Sequence, residues 1–436
     1  MTAPATGRAA AAALRILPAT GHPEDIRAHL ARHGRIPYRG ARSASGELLA
    51  DLEAAGLTGR GGAAFPVHRK LAAVLHAAAK RRVPPVVVAN GAESEPASAK
   101  DRTLLWLAPH LVLDGLQLAA EAVGADRAVL YTHADPVNGG DSRLGNRLHH
   151  AMEERREDRV PVSLAAAPPR FLAGQETALV SRLDGGPAIP SFVPPRPVER
   201  GVGGVPTLVQ NVETLAHLAL IARYGPRWFR EVGIPNGSGS LLSTLRLSDG
   251  RPRVFEVPFG IPLRELLGDA SGIAAVLVGG YHGTWLPVER ALRLCLDNES
   301  LATAGASVGA GIVIALPADR CGLIETARSV RYLALESAGQ CGPCLNGLPR
   351  MSAALSALAR GQADASATAD LERWAGLVTG RGACHHPDGV ARFVRSALQT
   401  FASEVGRHQR GQCGATNTAP FLPVSAAAAQ REEDWL

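Results

Sequence analysis

The chain has 436 residues, of which 46% are hydrophobic, 20% are charged and 4% are aromatic. This apolar content excludes a disordered chain, and the length predicts about two to four domains rather than one core. The net charge of +6 at first suggests a nucleic-acid partner, but the basic residues are scattered among acids. They form no basic run interleaved with aromatic side chains, so we expect no binding to nucleic acid.

The N-terminus and the cysteines indicate the compartment. A short alanine block lies between Arg8 and Arg15, without the sustained apolar run of a signal peptide. One long uncharged stretch, 300–318, is rich in small residues and contains a proline, so we do not expect a membrane span. Six cysteines are too few for a disulfide scaffold in a chain of this length. We therefore expect a cytoplasmic protein whose cysteines are reduced or bound to metal.

The first half of the chain alternates helical and strand patterns. A helix starting near residue 46 runs into the Gly-rich turn TGRGGAAFP, and a second helix follows. The apolar run in RVPPVVVAN is typical of a buried parallel strand and ends at the polar loop NGAESEPASAKDR. A helix at 104–123 and a strand at 127–132 continue the pattern. This alternation predicts a Rossmann-like α/β domain with ligands at the carboxyl ends of its strands.

The second half changes character. Residues 240–290 alternate short strands with one helix, which predicts a small β-grasp-like unit. From 325 to 406, apolar residues recur at spacings of three and four, which predicts a helical bundle. We predict these boundaries: an N-terminal extension at 1–45, the α/β domain at 46–235, the β-grasp-like (SLBB-type) domain at 236–318, the helical domain at 319–410 and a tail at 411–436.

The motif Cys341-Gly-Pro-Cys344 has three interpretations. Its spacing is that of a thioredoxin-type redox pair, but it follows a helical pattern instead of a buried strand. A structural zinc site is a second possibility. The third is a cubane iron–sulfur cluster, which needs two distant thiolates in addition, and Cys384 and Cys413 are available.

Taken in order, five tracts resemble the NADH-binding flavoprotein subunit of complex I and its relatives in hydrogenases and formate dehydrogenases. These tracts are GLTGRGGAAFPVHRK, NGAESEPASAKDR, AGQETAL, PTLVQNVET and ESAGQCGPCLNG. The resemblance covers about residues 50–400, and the loop NGAESEP is also similar to the C subunit of Rnf-type electron-transport complexes. We interpret the chain as a divergent paralogue.

The resemblance implies cofactors, a reaction and partners. Phe65 and Glu95 match positions that contact the nicotinamide nucleotide. A hydride would pass from NAD(P)H to FMN, and single electrons would leave through a [4Fe–4S] cluster to a ferredoxin-like or membrane-bound redox protein. The positions that match the FMN site are Gly59, Arg60, Gly61, Lys70, Asn90, Glu93, Gly174, Glu176, Asn211 and Thr214.

The chain also departs from the family pattern at flavin and nucleotide positions. An aspartate, a tyrosine and a glutamate are replaced, two expected aromatics are missing, and one basic residue is missing. Stacking of a base on an aromatic ring contributes about 1–3 kcal/mol, so we expect weakened NADH binding. One alternative is therefore a redox scaffold that lost NADH chemistry and docks a partner through the β-grasp-like unit. The departures are Ala92, Phe171, Gln175, Ala73, Arg196 and Val193.

The cluster motif is altered as well. The family has Cys-Gly-x-Cys-x-x-Cys, and Ala338 occupies the first of these positions. Cys341, Cys344 and Cys384 match the other ligands, and we hypothesise that Cys413 supplies the fourth thiolate. The alternative is that Cys413 is a free thiol of the tail. The remaining cysteines, Cys295 and Cys321, are expected to be unligated core or surface thiols.

Overall fold

The computed structural model describes residues 14–40, 44–133, 142–363, 366–424 and 435. The first half is an α/β unit around a parallel four-stranded sheet of order β3-β2-β1-β4. Its elements are α1 (Ile26–His33), α2 (Ala44–Ala55), α3 (Val67–Arg81), β1 (Val86–Gly91), α4 (Lys100–Leu107), α5 (Pro109–Val123), β2 (Arg127–Thr132), α6 (Ser142–Glu153), β3 (Val162–Ala166), α7 (Glu176–Leu183), β4 (Thr207–Asn211) and α8 (Val212–Arg230).

The sequence pattern explains the centre of this unit. The Val86–Ala89 run is buried on both faces of β1, as expected for a parallel strand covered by helices. The predicted single helix at 104–123 is instead two helices, α4 and α5. The break falls at Ala108, whose φ of −135° and ψ of 54° are not helical, and Pro109 begins α5. A proline lacks the N–H that a continuous helix needs, so it is tolerated at this first helical position.

A second sheet follows in the chain. It has five strands in the order β10-β9-β11-β7-β8, and only the β11–β7 pair is parallel. Its elements, with a short hairpin before it, are β5 (Gly233–Ile234), β6 (Gly237–Ser238), β7 (Ser240–Arg246), β8 (Pro252–Pro258), α9 (Leu263–Leu267), β9 (Ile273–Val278), β10 (Thr284–Pro287), α10 (Val288–Ala291), α11 (Asn298–Ala302) and β11 (Ile312–Pro317).

The C-terminal part is helical. Its core is continuous with one face of the second sheet, because Leu277 and Ile314 pack with Phe393 and Leu333 in one cluster. The segment that contains the CGPC motif forms a π-helical turn between two α-helices. The elements are α12 (Gly322–Leu335), the π-helical turn (Pro343–Gly347), α13 (Leu348–Ala359), α14 (Ala367–Val378), α15 (His386–Thr400) and α16 (Ala402–His408).

The first and last segments of the described chain, near residues 15–17 and 416–424, pack onto the two sheets and the helices. The carboxylate of Glu256 on β8 accepts the N–H groups of Ile16 and Leu17 at 2.9–3.1 Å, which fixes the N-terminal extension. At the other end, Glu325 on α12 accepts the N–H groups of Phe421 and Leu422. The tail therefore lies along the helical part.

Among the described residues, no single helix is long and apolar enough to cross a membrane. One pair, α4 and α5, passes the length and composition test when taken together, but the two helices meet at an angle of 96°.

Candidate functional site

A cleft opens where β1 and β4 end. Asn90 and Asn211 are paired in the register of the two parallel strands, so both lie at the carboxyl edge of the sheet. The cleft is open to solvent on one side, and about 610 Å³ of space lies within it when that solvent is included. It is lined by Gly61, Asn90, Ala92, Glu93, Ser94, Glu95, Ser98, Lys100, Asp101, Phe171, Gly174, Asn211 and Ala310.

The two asparagines are fixed by protein contacts. The Asn90 amide donates to the carbonyl of Gly174 at 2.8 Å. The side-chain oxygen of Asn211 accepts the N–H of Glu213 at 3.0 Å and so caps α8, while its amide donates to Asp101 at 2.7 Å. Both side chains are therefore oriented before any ligand binds.

A buried group of charges forms the floor of the cleft. Lys100 Nζ lies 2.7 Å from Asp101 Oδ1 and 2.8 Å from Glu213 Oε2. Burial disfavours the charge of Lys100, but the two carboxylates outweigh it and raise the pKa of the lysine. Glu93 accepts the N–H groups of Asp101 and Arg102, at the first turn of α4. Burial, followed by the charge of Asp101, raises the pKa of Glu93.

Sequence reasoning did not assign Lys100, Asp101 and Glu213 to the site. A signal was present, because Lys100 and Asp101 lie in the NGAESEPASAKDR loop and Glu213 lies in PTLVQNVET. These are tracts in which other site residues were predicted. The sequence places a lysine and an aspartate side by side after β1 and a glutamate after β4. These residues favour a buried ion pair where the two strands end.

The turn between β9 and β10 of the second sheet closes one side of the cleft. The Glu95 carboxylate accepts the N–H of Tyr281 in this turn at 3.3 Å. A Cβ on Gly280 would lie 2.9 Å from Glu95 Oε2, so the glycine allows this close approach. Burial raises the pKa of Glu95 to about 8. Its carboxyl group is therefore mostly protonated at neutral pH.

The Gly-rich loop lies beside the cleft, but the Arg60 side chain points away from it. The Arg60 guanidinium donates to the carbonyls of Ser238 and Ser240 at 3.1 and 3.2 Å, between the two sheets. Thr214 accepts the Arg60 N–H at 2.9 Å and holds the loop against α8. Gly61 lines the cleft, and Gly59 and Arg60 line a smaller neighbouring cavity. The Arg60 side chain therefore joins the two sheets, and the expected contact of Arg60 with a flavin stays a prediction.

Two other predicted flavin residues pair with each other. Lys70 Nζ lies 2.9 Å from Glu176 Oε1 and donates to the carbonyl of Val209 at 2.8 Å. Neither side chain is among the residues that line the cleft. Gln175 is the N-cap of α7, because its side-chain oxygen accepts the N–H groups of the first turn. This loop approaches the end of β1 closely, since a Cβ on Gly174 would lie 2.6 Å from the carbonyl oxygen of Ala92.

The predicted nucleotide side is exposed. Phe65 is 46% exposed, and the Arg69 guanidinium lies 5.9 Å from its ring centre. Ala73 and Arg196, where the resemblance expects aromatic rings, are exposed as well. Phe192 is 67% exposed on the same Pro-rich loop as Arg196. This loop therefore presents one aromatic ring to solvent, at a different position from the expected one.

Phe171 connects the cleft to the cysteine-bearing helices. Its ring lines the cleft and lies 5.0 Å from the His282 ring and 5.6 Å from the His386 ring, measured between centroids. Because His386 Nε2 donates to the carbonyl of Leu333, its Nδ1 accepts from His282 Nε2 at 2.9 Å. A Cβ on Gly389 would lie 2.3 Å from the His282 ring, so α15 accommodates this histidine only because it has a glycine there.

Three of the predicted cluster ligands are neighbours. The Cys344 thiol is buried and interacts with both Cys341 and Cys384, and Ser337 hydrogen-bonds to it. Burial and the neighbouring Cys341 raise the pKa of Cys344 to about 12. Cys384 lies just before α15, two residues from His386. The CGPC motif thus follows a helix and faces a third cysteine, unlike a redox pair at the end of a strand.

Cys413 lies in a different group of side chains, which argues against the hypothesis of a fourth thiolate from the tail. Its sulfur is grouped with the side chains of Cys321, Glu404 and His408, and the ligating atoms are all within 4.8 Å of one another. The physical reason is a tight turn after α16, which returns the chain towards the start of α12. Cys321, expected to be an unligated thiol, belongs to this second group.

Comparisons with known proteins agree with this architecture. Residues 52–220 match the Nuo51 FMN-binding domain, and residues 325–408 match the NADH-ubiquinone oxidoreductase-F iron–sulfur binding region. The second F-type subunit of the NADH-quinone oxidoreductase of Rhizobium meliloti (strain 1021) is 31% identical over 395 residues, covering 85% of this chain and 92% of the relative. The F-type subunit of the same enzyme in Streptomyces coelicolor (strain ATCC BAA-471 / A3(2) / M145) is 29% identical, covering 90% and 89%.

A solved structure also matches. It is the NAD⁺-reducing [NiFe]-hydrogenase in the H₂-reduced state, with a TM-score of 0.75 and 27% sequence identity. The match covers 89% of this chain and 67% of the hydrogenase chain. The family models, the relatives and the shared fold lead to one conclusion: the chain belongs to the family of F-type subunits of NADH-quinone oxidoreductase.

Proposed function

We propose that the protein transfers electrons from NAD(P)H through FMN and a [4Fe–4S] cluster to a separate redox protein. The observation that carries this proposal is the cleft at the carboxyl edge of the parallel sheet. Five residues predicted for FMN line it, and so does Glu95, predicted for the nucleotide. The five are Gly61, Asn90, Glu93, Gly174 and Asn211.

The residues of the cleft fit a flavin. Its polar groups are oriented by hydrogen bonds within the protein. Asn90 and Asn211 would bind the ring edge and ribityl hydroxyls, while the backbone of the Gly-rich loop and Lys100 would face negative charge. FMN, when bound, supplies the step from a two-electron hydride donor to single-electron transfer. Glu95, mostly protonated at neutral pH, adds little negative charge where an anionic nucleotide would bind.

The cysteine site fits three corners of a cubane cluster. Cys341, Cys344 and Cys384 would supply three thiolates. Ala338 provides no donor at the position of the fourth, and Cys413 lies with Cys321. We therefore propose a [4Fe–4S] cluster with three cysteine ligands from this chain and a different group at the fourth iron.

The rings of Phe171, His282 and His386 form an aromatic layer between the cleft and the three cysteines. Phe171 contacts the cleft on one side and the His282–His386 pair on the other. His386 begins α15 directly after the segment with Cys384. Burial lowers the pKa of His386 to about 4 and that of His282 well below its ordinary value, so both rings are neutral. We propose that electrons pass from the cleft to the cluster across this uncharged layer.

The surface beside the cluster suits a protein partner. Leu345 follows the buried Cys344 directly and is 59% exposed, and Leu377 on the neighbouring α14 is 47% exposed. Exposed apolar side chains next to a redox site favour a docked protein. The relatives are named as subunits of NADH-quinone oxidoreductase. We propose a ferredoxin-like or membrane-bound redox partner, with the five-stranded sheet as an SLBB-type domain and the C-terminal helices as a bundle.

Anaerobic titration of the purified protein with NADH and NADPH tests the proposal. Denatured protein should release about one FMN per chain, and the native flavin absorbance should bleach when reductant is added. The visible absorbance of the cluster should fall in the same titration. A protein that contains FMN and cluster but bleaches with neither nucleotide would contradict the NAD(P)H step.

A second candidate is a redox protein that receives electrons without NADH. The exposed Ala73 and Arg196 favour it, because they leave an adenine ring without the two expected aromatic partners. In that case dithionite or a reduced ferredoxin would bleach the flavin, whereas NADH would not.

A further inference from the structure

A group of four ligating side chains lies apart from the proposed flavin and cluster sites. The ligating atoms are all within 4.8 Å of one another. Cys321 Sγ is 3.3 Å from His408 Nε2, and His408 Nε2 is 3.8 Å from Glu404 Oε2. The Cys413 thiol interacts with Cys321. Cys321 and His408 are both only 3% exposed, so half of the group is within the core.

The spacing and the chemistry fit a tetrahedral zinc ion. Zinc–sulfur bonds of about 2.3 Å and zinc–nitrogen or zinc–oxygen bonds of about 2.0–2.2 Å place tetrahedral ligands roughly 3.3–3.8 Å apart. The observed distances of 3.3 and 3.8 Å need little movement to reach this arrangement. Two thiolates, an imidazole and a carboxylate form a closed set of the donor types that zinc prefers.

The backbone brings Cys413 to the group through a specific turn. After α16, the Gln412 N–H donates to the Arg407 carbonyl and the Gly411 N–H to the His408 carbonyl, each at 3.0 Å. Gly411 has a φ of +72°. This pair of bonds with a left-handed glycine is a Schellman motif, which ends a helix and reverses the chain. Cys413 is the second residue after that glycine, so it is carried back towards His408.

The tail is held on the far side of Cys413 as well. The Gly414 N–H donates to Glu404 Oε2 at 3.0 Å, and a Cβ on Gly414 would lie only 2.4 Å from Glu404 Oε1. Farther along, the N–H groups of Thr416 and Asn417 donate to the carbonyl of Asp319, two residues before Cys321. Glu404 is also oriented by Arg407, at 2.7 Å. Such contacts position metal ligands from outside the coordination shell.

We propose that Cys321, Glu404, His408 and Cys413 bind one zinc ion, which joins the tail to the start of α12 and the end of α16. The ion would have a structural role, because four protein ligands leave no open position for substrate. It would stabilise the helical part by tying the start of α12 to α16 and the tail, which are distant from it in sequence. This site is independent of the proposed electron-transfer function, which does not use these four residues.

The test measures metal in the full chain purified anaerobically with its cofactors. After dialysis, native mass spectrometry and elemental analysis should find about one zinc per chain in addition to iron. Zinc-edge X-ray absorption should show two sulfur ligands near ~2.3 Å and two nitrogen or oxygen ligands near ~2.0–2.2 Å. Cys413→Ser should lower the zinc content at least tenfold and leave iron and flavin unchanged. Cys413 is exposed, so this variant should fold.

Two controls separate this site from other thiols. Cys295→Ser changes a half-buried cysteine of the second sheet region and should keep zinc. Cys341→Ser should lose iron and keep zinc. Equal zinc content in wild-type protein and Cys413→Ser would overturn the proposal. So would wild-type protein that binds no zinc after incubation with Zn²⁺, or a Cys321–Cys413 disulfide in the intact mass of the anaerobic preparation.

Discussion

The flavin cleft and the three-cysteine site differ in what holds their side chains. In the cleft, Asn90 binds Gly174, Asn211 caps α8, and Lys100 lies between two carboxylates. The cysteine thiols at 341, 344 and 384 instead lie near one another, and Ser337 hydrogen-bonds to Cys344. The cleft is therefore preorganised by the protein, whereas the cysteine site is completed by its ligand. Removing the ligand should affect the two regions very differently.

The largest expected effect is the loss of the cluster in Cys344→Ala. This thiol is the most buried of the three and lies near both others, so its removal leaves two cysteine ligands. We expect iron and sulfide content to fall by at least tenfold, while about one FMN per chain remains because the cleft does not depend on the cluster. Iron, sulfide and flavin assays on the same sample check this. Cys295→Ala is the matched control, and full iron in Cys344→Ala would show that the three-cysteine site does not hold the cluster.

The next effect is on stability, from Lys100→Met. Without the ammonium group, Asp101 and Glu213 remain buried without their cation, and breaking such a buried pair costs about 3–5 kcal/mol. Flavin content should fall along with the free energy of unfolding, measured by denaturant titration. Lys80→Met is the control, because Lys80 is exposed on α3 and should change stability by less than about 0.5 kcal/mol. Equal losses of flavin and of unfolding free energy in the two variants would refute a preorganised cleft.

Glu95 should make the free energy of unfolding depend on pH. Burial raises its pKa from the ordinary value of 4.5 to about 8. Between these values the unfolded chain releases the proton and the folded protein keeps it, so stability falls as pH rises and the loss levels off above about pH 8. The whole contribution to the free energy of unfolding is on the order of 5 kcal/mol.

Glu95→Gln isolates this contribution. The amide oxygen can still accept the Tyr281 N–H, but the side chain does not ionise. We expect the variant and the wild type to have similar unfolding free energies at pH 5, and the variant to be the more stable at pH 9. Denaturant titrations at several pH values measure the difference. A difference that stays constant from pH 5 to pH 9 would mean that Glu95 ionises as readily in the folded protein as in the unfolded chain.

The same contrast explains what sequence could predict. The family resemblance assigned Asn90, Glu93 and Asn211 to one site, and all three line the cleft at the ends of two adjacent parallel strands. The direction of the Arg60 side chain was not predictable, because its partners are carbonyls of Ser238 and Ser240, which any residue type supplies.

The two cysteine groups were harder still to predict from the sequence. Cys321 and Cys413 are 92 residues apart in sequence, and their meeting depends on the Schellman turn after α16 and on the path of the tail. Gly411 was a visible sign of a helix end, but a turn residue does not specify which helix the chain then approaches. Cysteine spacing alone therefore could not show that Cys413 lies beside Cys321.

The smallest expected effect concerns the rim of the cleft at Gln175, where the family has glutamate. Its side-chain oxygen accepts the N–H groups of Thr177 and Ala178 at 2.7 and 2.9 Å, which caps α7. Gln175→Ala should cost about 1 kcal/mol, the usual contribution of an N-cap. Gln175→Glu keeps an acceptor oxygen, and its charge gains from the helix dipole but is repelled by Glu176, so stability should stay within about 0.5 kcal/mol. Denaturant titration distinguishes the two variants. If Gln175→Glu is as unstable as Gln175→Ala, the cap requires an uncharged side chain, and the family's glutamate would be incompatible with this form of the cleft.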